Sequence, residues 1–192
     1  MNGQLILGVS IPLLVSGFVL WAASRPERER RRHRDSSRKE VFGALREQFA
    51  LSESDGRLSG SVDGRPVSVQ HEGEYLTVAH VTLHVPVLPL GVRLVEFPDG
   101  PYQKYEERAI GGAHAVGDAQ FDAKFLAYGE PGDLSRIEPE VLALMVRHWI
   151  EGVGVRFGEV TLYVPAEANA AVDAIRRTLA LCDALEASVR VA

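Results

Sequence analysis

The segment LSGSVDGRPVSV, residues 58–69, indicates the class of fold that this chain adopts. Two short runs of strand-like residues flank the dipeptide Asp63-Gly64. Glycine tolerates the positive φ of a tight turn, so Asp-Gly between two such runs predicts a β-hairpin. From Arg57 onward the apolar pattern changes from a helical to a strand period, which places the start of an antiparallel sheet near this residue.

Further strands are predicted after this hairpin. The run YLTVAHVTLHV, residues 75–85, is rich in β-branched side chains, and LPLGVRLVEF supplies another strand after the turn at Pro89 and Gly91. Weaker patterns predict strands over residues 103–109 and 114–128, separated by Gly111-Gly112. The run VRFGEVTLYVP, residues 155–165, predicts one more strand.

Three helices are predicted around these strands. The spacing of Ser37 and Glu40 matches a capping box and predicts a helix that continues to about residue 49. Residues 135–151 return to a helical period and end before Gly152, and residues 168–187 form the last helix. Strand runs followed by helix, strand and helix predict an α+β domain over residues 40–192, with a mainly antiparallel sheet and helices packed on one face.

An uncharged run, LILGVSIPLLVSGFVLWAA, occupies residues 5–23. As a helix it would be about 29 Å long, which matches the hydrocarbon core of a bilayer and predicts a transmembrane anchor over residues 1–24. A cleaved secretory signal is the alternative, but its positive charge should precede the apolar run. Here the arginines follow it, and a buried core helix rarely contains so long an uncharged run at a terminus.

The next stretch, RPERERRRHRDSSRK at residues 25–39, holds eight of the chain's 21 Lys and Arg residues and three acids. It is too polar to bury surface and is predicted to be a juxtamembrane linker. Basic residues beside a span tend to stay in the cytoplasm, so the N-terminus is expected outside and residues 25–192 inside. The side chains expected at the lipid headgroups are Arg28, Arg30, Arg31, Arg32 and Arg34.

The charge of the remaining chain limits its partners. The whole chain has a net charge of −5, so residues 40–192 carry −10 after the +5 of the basic linker is removed. An acidic domain repels nucleic acid and anionic lipid, and no aromatic residue lies among the linker arginines to stack on bases. Nucleic acid binding is therefore not expected, and a protein partner with a basic surface is favoured.

The segment GDAQFDAKF, residues 117–125, alternates polar and apolar residues and predicts a half-buried strand. Asp118 and Asp122 would share its polar face, with His114 just upstream as a possible base, and these three residues are the catalytic candidates. On a strand the two carboxylates would lie about 13 Å apart, farther than the pairs that glycosidases use. A solvated strand face is therefore the favoured interpretation of this segment.

Other chemical signals are weak. His80 and His84 would lie on one strand face about 13 Å apart, too far to share one metal ion, so two independent histidines are expected. The single cysteine, Cys182, lies on the apolar side of the last helix and is expected to be buried. The sequence has no phosphate-binding loop, HExxH, CxxC pair or GxSxG motif, and no metal or cofactor is expected.

This layout resembles that of bacterial single-pass membrane-anchored proteins of unknown function. The segments that carry the resemblance are LSGSVDGRPVSV, GDAQFDAKF and the helix–strand–helix end, over roughly residues 57–187. It implies a bacterial inner membrane and transfers no site residue and no activity. The sequence hypothesis is a cytoplasmic-facing binding or scaffolding module; the alternative is an enzyme, possibly a hydrolase, that acts on a membrane-proximal substrate.

Overall fold

The computed structural model describes residues 35–72, 76–96 and 113–191. The chain divides into two compact units, Met1–Glu40 and Val41–Ala192. In the first unit the described residues, 35–40, are helical. The second unit contains the sheet and the helices of the predicted domain.

The described elements are eight strands and five helices. The strands are β1 (Ser52–Ser54), β2 (Arg57–Val62), β3 (Arg65–Glu72), β4 (Leu76–Thr82), β5 (Arg93–Glu96), β6 (Phe125–Tyr128), β7 (Val153–Arg156) and β8 (Glu159–Tyr163). The helices are α1 (residues 35–49), α2 (Ala119–Asp122), α3 (Pro131–Leu134), α4 (Pro139–Arg147) and α5 (Ala168–Val191).

The strands form one open sheet in the order β1-β2-β3-β4-β8-β7-β5-β6. Every pairing between neighbouring strands is antiparallel. The predicted α+β class with an antiparallel sheet is therefore confirmed. The last hairpin, β7–β8, inserts between β4 and β5, so the sheet joins segments far apart in sequence.

Asp-Gly turns start the sheet as the sequence predicts. Asp63 and Gly64 both have positive φ, 51° and 80°, and join β2 to β3. Asp55 and Gly56 have the same conformation, with φ of 52° and 72°, and join β1 to β2. The edge strand β1 was not predicted, although the same turn signal precedes Arg57.

The two faces of the sheet differ in what covers them. Residues directly opposite each other on neighbouring strands share a face. One such row is buried: Leu58, Val69, Ala79 and Leu162. The opposite row contains Ser59, Ser68, His80 and Thr161. We call these the helix-covered face and the open face.

Helices from both ends of the domain pack on the helix-covered face. The Phe42 ring of α1 stacks on His71 of β3 at 4.4 Å, and Phe121 of α2 stacks on Phe125 of β6 at 4.9 Å. Helix α5 contacts β4 and β8, and α4 packs against α5. The apolar stripe predicted for the last helix is buried, with Ile175, Cys182 and Leu185 at most 1 % exposed.

The strand predicted over residues 117–125 is wrong. This segment forms the single-turn helix α2 followed by the start of β6. The Asp118 carboxylate accepts hydrogen bonds from the backbone N–H groups of Gln120 and Phe121 at 2.9 and 3.0 Å, which caps the helix. A side-chain cap of this kind competes with strand pairing, so alternation alone was misleading here.

The single strand predicted over residues 155–165 is also wrong. Two strands, β7 and β8, occupy Val153–Tyr163 and pair with each other around Phe157 and Gly158. This two-residue turn lies inside a stretch whose residue types resemble those of one continuous strand. The helix predicted over 135–151 is too long at both ends, because α4 spans Pro139–Arg147 and His148 is its C-cap. Gly152 does not end this helix; it has a φ of 72° and directly precedes β7.

Several predictions concern residues outside the described ranges. These are the transmembrane span at 5–23, the five arginines expected at the headgroups, and the strand at 103–109. Helix α1 includes residues 35–39, the end of the predicted linker. Among the described helices, none combines the length and the apolar character that crossing a bilayer requires.

Candidate functional site

The three predicted catalytic candidates lie around the short helix α2. His114 is exposed, and its backbone N–H donates to the carbonyl of Ala127 at 2.8 Å beside the edge strand β6. Asp118 is the N-cap described above. Asp122 accepts from the backbone N–H groups of Val116 and Gly117, both at 3.0 Å.

Both carboxylates are therefore used to hold a loop together. Each oxygen of Asp122 bonds a different backbone N–H group, and Asp118 stabilises the first turn of α2. No hydrogen bond joins His114 to either carboxylate in the part of the chain that the structure describes. This geometry favours a structural role for Asp118 and Asp122 over acid–base chemistry.

His80 and His84 are not brought together. Nδ1 of His80 lies 2.6 Å from Oε1 of Glu159, on the open face. The backbone N–H of His84 donates to Glu186 of α5 instead, on the other side of the sheet. Within the described ranges, no three His, Cys, Asp or Glu side chains form a group that could hold a metal ion.

Two adjoining hollows between α1 and α5 form what we call the helix groove. The first has a volume of about 680 Å³ and the second about 550 Å³. Gln48 of α1 and Arg176 of α5 line both of them. The second hollow extends to the β2–β3 turn at Asp63 and to Asp183. An exposed channel therefore runs along the two helices.

The charges in the helix groove are mainly negative. Its charged lining residues are Glu47, Asp63, Asp173, Asp183 and Arg176. The Asp173 and Asp183 side chains are 73 % and 71 % exposed. Arg176 is 3.7 Å from Asp173, a solvent-exposed pair that neutralises little of the field. Asp183 is also paired with Arg65 at 2.6 Å, so three further acids face one arginine and the lining keeps a net negative charge.

A second depression, of about 330 Å³, lies on the open face. We call it the open-face groove. Its polar lining includes Arg57 and Ser59 of β2, Ser68 of β3, His80 of β4 and Glu159 of β8. Four strands position these side chains, and the register places Ser68 directly opposite His80. The rigid ladder beneath them fixes their spacing.

Glu159 organises the polar side of the open-face groove. One oxygen is 2.6 Å from His80, and Arg156 donates to both oxygens at 2.8 and 2.9 Å. Burial opposes ionisation of this carboxyl, but the hydrogen bonds from His80 and Arg156 outweigh it and lower its pKa. Glu159 therefore remains an acceptor near neutral pH and orients the His80 ring through Nδ1.

The helix-covered face contains a different charged group, which we call the buried ion cluster. Arg65 of β3 donates to both Glu186 oxygens at 2.7 and 2.9 Å, and to Asp183 at 2.6 Å. The hydrogen bond from Arg65 lowers the pKa of Glu186, and the same bond raises the pKa of Arg65. With both side chains at most 5 % exposed, this cluster attaches α5 to the β2–β3 hairpin.

Cys182 lies next to this cluster and is fully buried, as predicted. Burial raises the pKa of its thiol to about 12, although the nearby Arg65 charge acts in the opposite direction. A reactive cysteine needs an accessible thiolate, so Cys182 is a core residue.

The sequence interpretation missed the residues of the open-face groove. It treated His80 as an isolated strand histidine, and neither Ser68 nor Glu159 was selected. The missing information was strand order, because Glu159 is 79 residues from His80 in sequence and becomes its neighbour only when β8 pairs with β4. Polar residues at alternate positions of predicted strands were the available signal.

No protein-family model and no curated protein matches this sequence. Among solved structures, the crystal structure of the mycobacterial trehalose monomycolate transport factor A, TtfA, is similar to this chain with a TM-score of 0.43 and 12 % identity. The match covers 80 % of this chain and 94 % of that one. A likeness at this level supports no conclusion about function.

Proposed function

We propose that this protein is a binding module whose helix groove takes a Lys- and Arg-rich segment of a partner protein. The observation that carries the proposal is the channel between α1 and α5 with four acids and one arginine in its lining. Most of these side chains are solvent-exposed, so they attract a cationic segment without first being desolvated.

The chemistry of the channel sets limits on the partner. Anionic lipid and nucleic acid would be repelled by the same charges and by the net charge of −10 over residues 40–192. Surface charges steer association more than they add affinity, so binding should be fast and sensitive to salt. A basic protein segment in an extended or helical form fits these requirements.

We further propose that the module is held at the inner face of a bacterial cytoplasmic membrane. The support is the uncharged run at 5–23, followed by Arg28, Arg30, Arg31, Arg32 and Arg34. In this arrangement the arginines contact lipid headgroups and the acidic domain faces the cytoplasm. A scaffolding role follows from these two features together, because the anchor concentrates the bound partner at the membrane.

The groove is tested with fluorescein-labelled octalysine and the full chain in detergent. Binding measured by fluorescence anisotropy should weaken about 5- to 10-fold in a Glu47→Gln/Asp173→Asn variant, since two charge contacts contribute roughly 1 kcal/mol. The matched control is Glu140→Gln/Glu151→Gln, which removes two exposed acids that do not line the groove. Equal weakening in both variants would show that only net charge matters and would contradict the groove.

The membrane placement is tested by a separate experiment. Alkaline phosphatase, which is active only after export, is fused after Ala192 and expressed in a bacterial host. We expect the fusion to be inactive and to sediment with the membranes. Phosphatase activity would reverse the proposed orientation, and a fusion that stays in the soluble fraction would contradict the anchor.

The alternative of a hydrolase finds no support at His114, Asp118 and Asp122. The Asp122 carboxylate holds the loop before α2, and the Asp118 carboxylate caps α2. Within the described residues, no hydrogen bond connects either carboxylate to His114. An enzymatic function would therefore need another set of residues.

A further inference from the structure

Asp183 belongs both to the helix groove and to the buried ion cluster. It lines the second hollow of the groove together with Asp63. Its Oδ1 atom also accepts a hydrogen bond from Arg65 at 2.6 Å. The Asp183 side chain is 71 % exposed, whereas that of Arg65 is 5 % exposed. One carboxylate therefore contacts a buried cation and is still open to the solvent of the groove.

The Arg65 guanidinium is fixed in place by Glu186. Its Nη1 and Nη2 atoms donate to the two Glu186 oxygens at 2.7 and 2.9 Å, which is the bidentate geometry of a strong ion pair. The bond to Asp183 uses Nη2 as well. Because both members of the Arg65–Glu186 pair are buried, the guanidinium cannot move away when a second cation approaches Asp183.

A cation in the second hollow would share Asp183 with this guanidinium. At hydrogen-bond distance from Asp183 it would lie well within about 8 Å of Arg65, the distance over which physiological salt screens charges. The two cations would repel each other, which weakens the attraction of the second cation to the carboxylate. Asp63 lines the same hollow, and no basic side chain of the described residues pairs with it. The two acids of this hollow are therefore unequal acceptors.

We propose that Arg65 is an internal competitor for the helix groove, whose bond to Asp183 weakens the binding of a cationic segment in the second hollow. This inference rests on the binding function proposed above. Lys and Arg side chains of the segment bind beside Glu47, Asp63 and Asp173 in preference to Asp183. Because the coupling between two sites is reciprocal, a segment that takes Asp183 also weakens the attachment of α5 to the β2–β3 hairpin through Arg65.

The first test compares the two acids of the second hollow in the native background. Binding of fluorescein-labelled octalysine to the full chain in detergent is measured by fluorescence anisotropy. We expect Asp63→Asn to weaken binding about 3-fold and Asp183→Asn to weaken it less than about 1.5-fold. The variants are matched, because each removes one exposed charge, and asparagine tolerates the φ of 51° at position 63. Equal losses, or a larger loss at Asp183, would overturn the proposal.

The second test removes the competitor without changing the net charge. Arg65→Met with Glu186→Leu replaces the buried pair by apolar side chains and leaves Asp183 in the groove. We expect octalysine to bind about 3-fold more tightly, and we expect the addition of Asp183→Asn to remove this gain. Unchanged affinity in a variant with an intact thermal transition would contradict the proposal. If the variant does not fold, the comparison of Asp63 with Asp183 decides.

The variant Glu47→Gln/Asp173→Asn separates this inference from the binding function on which it rests. Both residues line the first hollow of the helix groove. If this variant binds octalysine as tightly as the native chain does, the groove is not the binding site. If it binds more weakly while Asp63→Asn and Asp183→Asn have equal effects, the groove is the binding site but Arg65 does not compete for it.

Discussion

Two glutamates on opposite faces of the sheet have similar hydrogen-bond partners but differ in how far their side chains are buried. Glu186 on the helix-covered face and Glu159 on the open face both accept hydrogen bonds from basic side chains, and both have a lowered pKa. The Glu186 side chain is 4 % exposed, whereas that of Glu159 is 24 % exposed. The first is enclosed between β3 and α5, and the second lines a groove.

The hydrogen-bond partners of Glu186 and Glu159 also differ. Both oxygens of Glu186 bond to Arg65, and one also accepts from the backbone of His84. A carboxylate used in this way holds elements together. Glu159 shares its oxygens between Arg156 and His80, and its side chain remains partly open to solvent. The same residue type therefore joins two elements on one face and lines an open groove on the other.

The largest effect is expected at Cys182, next to the buried ion cluster. With a pKa of about 12, the folded protein has almost no thiolate at pH 8. An unperturbed thiol has a pKa of about 8.5, so its thiolate fraction is roughly a thousandfold larger. We expect Ellman's reagent to react with the native chain at least about a hundredfold more slowly than with the urea-unfolded chain. A rapid reaction of the native chain would show that the Cys182 thiol is accessible to the reagent and would contradict its burial.

The next effect concerns the stability of the buried ion cluster. Glu186→Gln removes the buried counter-ion of Arg65 and leaves it only the exposed Asp183, so it should lower the free energy of unfolding by about 3 kcal/mol. Urea unfolding followed by circular dichroism measures the change. Replacing both residues, Arg65→Met with Glu186→Leu, should recover most of the loss, because packed apolar side chains avoid the desolvation cost.

Two controls relate this result to the comparison of the two faces. Asp183→Asn removes an exposed partner of Arg65 and should cost less than about 1 kcal/mol. Glu159→Gln on the open face should cost clearly less than Glu186→Gln, because water can solvate the groups left behind. Equal losses at Glu159 and Glu186 would contradict the distinction between the faces.

Acid should reduce the stability difference between the native chain and Glu186→Gln. A carboxyl whose pKa is lowered by folding stabilises the native state fully above its unfolded pKa, about 4.3 for glutamate. That stabilisation is lost as the pH falls through the lowered folded value. Unfolding curves between pH 7 and pH 2 should therefore converge for the two proteins at the acid end. A difference that stays constant down to pH 2 would show that Glu186 does not titrate with folding.

The smallest effect is expected at α2, away from both clusters. Asp118→Ala removes the helix cap and should lower the free energy of unfolding by about 1 kcal/mol. Asp118→Asn preserves an acceptor for the same N–H groups and should lower it less. Equal losses in Asp118→Ala and Asp118→Asn, measured by urea unfolding, would contradict the capping role of this side chain.

The sequence was informative where local chemistry determines the structure. Asp63-Gly64 predicts its hairpin because the turn needs positive φ at both positions, and Pro139 occupies the first turn of α4 for a similarly local reason. The strand prediction for residues 117–125 failed because the same alternation of polar and apolar residues is compatible with a capped helical turn. Nothing local reveals that Glu159 contacts His80, since that contact depends on the order of distant strands.

The proposed binding role is tested most directly by photo-crosslinking in native membranes. Benzoylphenylalanine is placed at Gln48 in the helix groove or, as the matched position, at Ser59 on the open face. We expect Gln48 to give a protein adduct whose crosslinked peptide is rich in Lys and Arg, and we expect Glu47→Gln/Asp173→Asn to remove it. The same adduct from Ser59, or an adduct from Gln48 that is insensitive to this loss of charge, would contradict the groove as the binding site.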